Sequence, residues 1–203
     1  MAGRKLLDLL ITHSYRHSDT PSFRLASGKL SNFYIDCKMT TMRGEAMPLV
    51  GEAVLQLLPA GVQAVGGLTM GADPIANAVV FFSQSTRRHV DMFSVRKEAK
   101  EHGLCKWIEG CAKAGSRVAV VDDVVTTGGS TIDAIRKCHE EKLQIVAVVV
   151  LVDRQEDDGI EKIRRAVGPN VPVRAVFTRA NLEARWHETH ADTPAPTHQA
   201  VAG

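Results

Sequence analysis

The sequence predicts an α/β protein in which a parallel sheet of about five strands is covered by helices on both faces, with a small N-terminal hood ahead of it. Two observations carry this. From residue 62 onward, short, mainly apolar runs alternate with segments of helical spacing, as strands buried on both faces require. The composition, 44% hydrophobic and 24% charged over 203 residues, suits one ordinary globular core and excludes a disordered, collagenous or membrane-embedded chain.

Leu6, Leu7, Leu10 and Ile11 recur at helical spacing, so roughly the first fifteen residues read as an amphipathic helix. Phe23 to Lys38 is rich in β-formers around a Ser27-Gly28 turn, with Phe33, Tyr34 and Ile35 at its centre, which predicts the hairpin or hood. Met47, Val50, Val54, Leu57 and Leu58 form the next helix. Pro48 is tolerated in its first turn, and Pro59 ends it. Strands are then expected at Val62 to Val65, Val90 to Val95, Val118 to Val121 and Ile145 to Val152, with an edge strand at Val173 to Phe177. Helices are expected at Asp73 to Phe82, Thr131 to Glu141 and Ile160 to Val167. Ile145 to Val152 falls far short of the ~20 residues that span a bilayer. Beyond Arg185 the composition turns to Thr, Pro, His and Ala, predicting a folded domain over 1–184, its hood mainly 1–40, and a mobile tail over 185–203.

A net charge of +2 gives no global pull toward nucleic acid, so any anion site is local. Cys37, Cys105, Cys111 and Cys138 form no CxxC pair, and the N-terminus has no long apolar stretch ending in a small-residue cleavage site. A reducing, cytoplasmic setting follows as the expectation, with no membrane association.

The chemistry is expected at Val118-Ala119-Val120-Val121-Asp122-Asp123-Val124-Val125-Thr126-Thr127-Gly128-Gly129-Ser130-Thr131. An apolar strand ends in two carboxylates, and a Thr-Thr-Gly-Gly turn opens into a helix capped by Ser130 or Thr131. Ligands of open parallel sheets bind at the carboxyl ends of strands, and a glycine turn at a helix N-terminus points N–H groups at a phosphate. Two acids beside a phosphate repel it unless they meet hydroxyls or a cation, which suggests a ribose diol or Mg²⁺. Neither G-x-x-x-x-G-K-[ST] nor a strand-linked G-x-G-x-x-G occurs, so the Walker and dinucleotide motifs are excluded.

This segment resembles the phosphoribosyl-pyrophosphate (PRPP) motif of the type I phosphoribosyltransferase family. The stretches Phe23-x-Leu25-Ala26-Ser27-Gly28-x-x-Ser31-x-x-Tyr34-x-Asp36, Gly67-Leu68-Thr69-Met70-Gly71-Ala72-Asp73-Pro74, Arg96-Lys97-Glu98-Ala99-Lys100-Glu101-His102-Gly103 and Asp153-Arg154-Gln155-Glu156 are similar, in order, to the signatures of that family's orotate-using branch. The resemblance spans roughly residues 5 to 180.

It implies the type I phosphoribosyltransferase fold and transfer of 5-phosphoribose from PRPP to orotate. It further implies PRPP binding by Asp122, Asp123, Val124, Val125, Thr126, Thr127, Gly128, Gly129 and Ser130, and by a pyrophosphate loop at Thr69, Met70 and Gly71. Arg96, Lys97, Lys100 and His102 would meet the diphosphate, with Lys97, Lys100, His102 and Asp123 catalytic. Lys29, Phe33, Tyr34, Thr126 and Arg154 would hold orotate, Arg154 by its carboxylate. Mg²⁺ would arrive with PRPP, with Asp122 or Asp123 as possible protein ligands. A homodimer with active sites shared between subunits is implied as well. The chain carries Ala26 where several family members have Lys, and no Lys in its pyrophosphate loop. The rival readings are another nucleobase phosphoribosyltransferase and a PRPP-sensing regulator of the same fold. No helix-turn-helix or basic segment precedes residue 20 to favour the regulator. His187-x-x-His190 has metal-like spacing but falls in the expected tail.

Overall fold

The computed structural model describes residues 2–24, 28, 30–98 and 107–190. The chain begins with α1 (Ala2–His13), followed by β1 (Tyr15–His17), β2 (Phe23–Arg24), β3 (Leu30–Ser31), β4 (Phe33–Ile35), α2 (Lys38–Thr41) and α3 (Met47–Leu57). Then come β5 (Ala64–Leu68), α4 (Ala72–Ser83), β6 (Asp91–Val95), β7 (Ile108–Gly110), β8 (Arg117–Val125) and α5 (Gly129–Glu140). The chain continues through β9 (Gln144–Asp153), α6 (Gly159–Val167), β10 (Val173–Thr178) and α7 (Arg179–His190).

The main sheet has six strands in the order β10-β9-β8-β5-β6-β7. Five run parallel, as expected; β7 is an added antiparallel edge, pairing Ile108 with Val95. Alternation along β8 and β9 explains why their stretches from Val118 to Val121 and from Ile145 to Val152 are apolar without a break. Val118, Val120, Val148 and Val150 pack toward α5 and α6, while Ala119, Val121, Val149 and Leu151 pack toward α1, α3 and α4. The hood is two small ribbons: β2 pairs with β3 across the Gly28 turn, and β1 pairs with β4.

Several expectations need correction. The strand expected at Val62 to Val65 runs instead to Leu68, through Gly66 and Gly67. A Cβ at either glycine would lie 2.0 Å and 2.1 Å from the carbonyl oxygens of Phe93 and Val121, so these positions serve close strand packing. The strand expected to stop at Val121 continues to Val125 and takes both acids with it. The tail expected from residue 185 starts too early. α7 runs on to His190, because Arg185 donates to Asp8 at 2.6 Å and Trp186 lies against His17 at 4.3 Å. Residues 191–203 lie outside the described residues. No helix among the described residues is long and apolar enough to cross a membrane.

From β5 the chain proceeds outward through α4 to β6, whereas β8, on the other side of β5, leads through α5 to β9 in the opposite direction. The strand order therefore reverses between β5 and β8. Such a reversal opens a crevice at the carboxyl ends of the two strands.

Candidate active site

Both segments expected to hold PRPP leave that crevice. β5 delivers Thr69, Met70 and Gly71, and β8 delivers Asp122 and Asp123. The peptide between Thr69 and Met70 is cis. Thr69 donates its hydroxyl to Asp73 Oδ2 at 2.6 Å, and Ser94 donates to Asp73 Oδ1 at 2.8 Å, which braces the loop against α4 and β6.

Because the strand continues through them, the two acids point to opposite faces. Asp122 turns toward α5 and is 4% exposed. It accepts hydrogen bonds from Ser130 Oγ at 2.8 Å, Thr131 Oγ1 at 2.6 Å and the Asp123 N–H at 3.0 Å. Burial pushes its carboxyl above the usual range, and the hydroxyl of Thr131 opposes that shift. Ser130 and Thr131 do not cap α5, contrary to expectation, because their hydroxyls are committed to Asp122. The N-cap is Gly128, in the left-handed region at φ 79°, where glycine pays no Cβ penalty. The first-turn N–H groups of α5 have no acceptor within the helix, which leaves an anion cradle at the end of the Thr126 to Ser130 turn.

Asp123 faces the hood. Its Oδ1 accepts the Val124 N–H at 2.9 Å, and its Oδ2 lies 3.6 Å from Lys38 Nζ, which also pairs with Asp36 at 2.8 Å. The hydrogen bond that Lys38 donates to Asp36 is the main reason that Lys38 holds its proton more tightly than usual. A Cβ on Gly71 would stand 2.6 Å from Asp123 Oδ1, so the β5 loop closes directly onto this carboxylate. Lys38 was missed by the sequence reading. The Asp36-Cys37-Lys38 sequence, acid and base flanking one residue, was its only local sign.

Arg154 follows β9 directly and lies beside the same strand end, its N–H donating to the Val125 carbonyl at 3.0 Å. The residue is 6% exposed, with its guanidinium 4.6 Å from the centre of the Phe33 ring. Nε donates to Glu156 Oε2 at 3.1 Å, and Nη2 is buried with no acceptor. Arg179 adds a second guanidinium 5.2 Å from Phe33. Phe33 and Tyr34 were expected together beside a flat ring, but strand alternation separates them. Phe33 is buried beneath the arginines, while Tyr34 is exposed and stacks on Phe23 at 6.2 Å.

Of the expected loop cations, Arg96 pairs with Glu109 at 3.4 Å and Lys97 is exposed. Lys29, Lys100 and His102 lie outside the described residues. His187 and His190 pack against the Trp186 ring. Among the described residues no three His, Cys, Asp or Glu side chains converge to cage one.

No protein-family model matches the chain. Individual proteins do. The chain is 41% identical over 179 residues to the orotate phosphoribosyltransferase of Aquifex aeolicus, covering 88% of this chain and 96% of that one. Among solved structures, the orotate phosphoribosyltransferase of Mycobacterium tuberculosis bound to Fe(III) dicitrate superposes with a TM-score of 0.77 at 33% identity, over 90% of this chain and 99% of that one. The same enzyme bound to PRPP gives a TM-score of 0.70 at 28% identity, over 89% and 91%. Likeness of that extent along nearly the whole of both chains makes this chain a member of the orotate phosphoribosyltransferase family.

Proposed function

We propose that the chain transfers the 5-phosphoribosyl group of PRPP to N1 of orotate, releasing diphosphate and giving orotidine 5′-monophosphate for pyrimidine nucleotide synthesis. The observation that carries the choice of base is the unpaired edge of Arg154, a buried guanidinium whose Nη2 has no acceptor. A carboxylate on a planar base satisfies that edge in fork geometry, whereas uracil leaves it unpaired.

The remaining roles follow from position. The Thr126 to Ser130 turn and the α5 N-terminus take the 5-phosphate. Asp123 accepts from the ribose hydroxyls, and Asp122 holds the turn through Ser130 and Thr131. The Thr69 to Gly71 loop meets the diphosphate, with Arg96 and Lys97 and, on the family pattern, Lys100 and His102. As diphosphate leaves, positive charge grows on the ribose, and a carboxylate already fixed in place stabilises it without reorganising.

Mg²⁺ fits this donor set as an ion carried mainly by the substrate's oxygens. Asp122 has its oxygens occupied by three donors, so Asp123 is the better protein ligand. When bound, the ion neutralises charge on the diphosphate.

The working form is a homodimer. Met42, Met70 and Phe81 are 55%, 59% and 67% exposed and line one apolar depression with Met47 and Pro74. Met70 belongs to the pyrophosphate loop, so a second copy seated there borders the active site. Cys37, Cys111 and Cys138 are free thiols, which suits the reducing cytoplasm.

The test is Arg154→Ala. Loss of a charged fork contact should raise the orotate KM about 100-fold while the PRPP KM changes little. Wild-type protein should use uracil very poorly. Equal effects on both KM values, or ready use of uracil, would overturn the assignment of base.

A further inference from the structure

Lys137 sits about two turns along α5 from the phosphate cradle and is 1% exposed. Its ammonium donates to the carbonyls of Arg96 and Lys97, each at 2.9 Å, and pairs with Asp133 Oδ2 at 2.7 Å. All three donors are thereby used. The same ammonium lies 4.4 Å from the centre of the Trp107 ring. Trp107 is held again from α5, its N–H donating at 2.9 Å to Glu141, the C-cap of that helix. The Arg96 N–H closes the stem by donating to the Trp107 carbonyl at 2.9 Å.

One helix therefore grips both ends of the connection between β6 and β7, and that connection carries Arg96 and Lys97. An apolar side chain of similar length would fill the space without the cost of desolvating a charge. What the ammonium adds is direction, because it fixes two successive carbonyls and with them the paths of two cationic side chains.

We propose that Lys137 is a positioning residue for the diphosphate end of PRPP. The N-terminus of α5 sets the 5-phosphate, Lys137 sets the backbone of Arg96 and Lys97, and the rigid helix between them holds the two anion sites in register. This rests on the PRPP reading above.

The two ends of PRPP can be tested apart, using inorganic diphosphate and ribose 5-phosphate as calorimetric probes of the full chain. Lys137→Met should weaken diphosphate binding about tenfold, the scale of a lost charge-assisted hydrogen bond, and leave ribose 5-phosphate binding unchanged. A purely structural role would weaken both or neither, and either outcome overturns the proposal. If Lys137→Met does not fold, Trp107→Leu removes the ring that holds the ammonium over the two carbonyls and so loosens both bonds. It should weaken diphosphate binding about threefold, again sparing ribose 5-phosphate, and no change would overturn the proposal. Wild-type protein that binds neither probe refutes the PRPP reading itself. Wild-type protein that binds both, beside a variant that binds both as tightly as wild type, refutes the role of Lys137 alone.

Discussion

Gly71→Ala isolates Asp123 without touching its charge. Gly71 has helical backbone angles, φ −61° and ψ −39°, so alanine is conformationally acceptable there. The new methyl, however, would stand 2.6 Å from Asp123 Oδ1 and 2.9 Å from its Cγ. Relief to an ordinary carbon-oxygen contact of about 3.3 Å requires the carboxylate to swing by roughly 0.7 Å, because β5 and β8 are fixed in one sheet. The swing disturbs the 2.9 Å bond from the Val124 N–H and the approach of Lys38. Asp is short and adjusts by small turns of χ1 and χ2, so stability should change by less than about 1 kcal/mol. A misplacement approaching 1 Å at a reacting centre costs up to about 100-fold in rate, and a loss of about 30-fold to 100-fold in kcat/KM for PRPP is expected. Steady-state kinetics beside urea denaturation separates the two effects. A folded Gly71→Ala protein with near wild-type turnover would refute the placement of Asp123 against the ribose.

Two further outcomes are expected. Because burial raises the Asp122 carboxyl, the folded chain binds that proton more tightly than the unfolded chain does. Stability should then fall as pH rises from the unfolded value of about 3.9 through the folded value and level off above it. Asp122→Asn should abolish that limb in urea titrations at stepped pH, and an unchanged profile would count against the buried ionised carboxylate. For the shared site, Lys100→Ala and Asp123→Asn homodimers should each be nearly dead. Reassorted after mild dissociation, they should recover about a quarter of wild-type activity, since random pairing makes half the dimers mixed and one site in each escapes both lesions. With subunit exchange confirmed by mass-tagged chains, a mixture that stays inactive would show a loop acting within its own subunit.

The PRPP segment was legible because its signals are local: an apolar run, two acids, a glycine turn and a helix lie within fourteen consecutive residues, Val118 to Thr131. Helix and strand periodicity placed α3, α4, α5, α6 and the parallel strands for the same reason. What escaped depends on distant partners. The two-residue and three-residue hood strands are too short to show a period, and α2 spans only four residues. The second half of α7 reads as tail by composition, yet it is anchored by Asp8 and His17 near the other end of the chain. The division of labour between Asp122 and Asp123 was hidden because it depends on β8 running four residues past Val121. Lys38 and Lys137 look like ordinary surface cations in sequence. Only folding brings the first to Asp123 and the second under Trp107.

The proposed chemistry joins the ribose of PRPP to orotate in this crevice. Its most direct test is to incubate the purified protein with PRPP, Mg²⁺ and orotate while following the loss of orotate absorbance and the release of diphosphate. The two should proceed in step, one diphosphate for each orotate consumed, with orotidine 5′-monophosphate as the nucleotide product. Binding of PRPP without turnover of orotate would contradict it and leave a PRPP-sensing protein in its place.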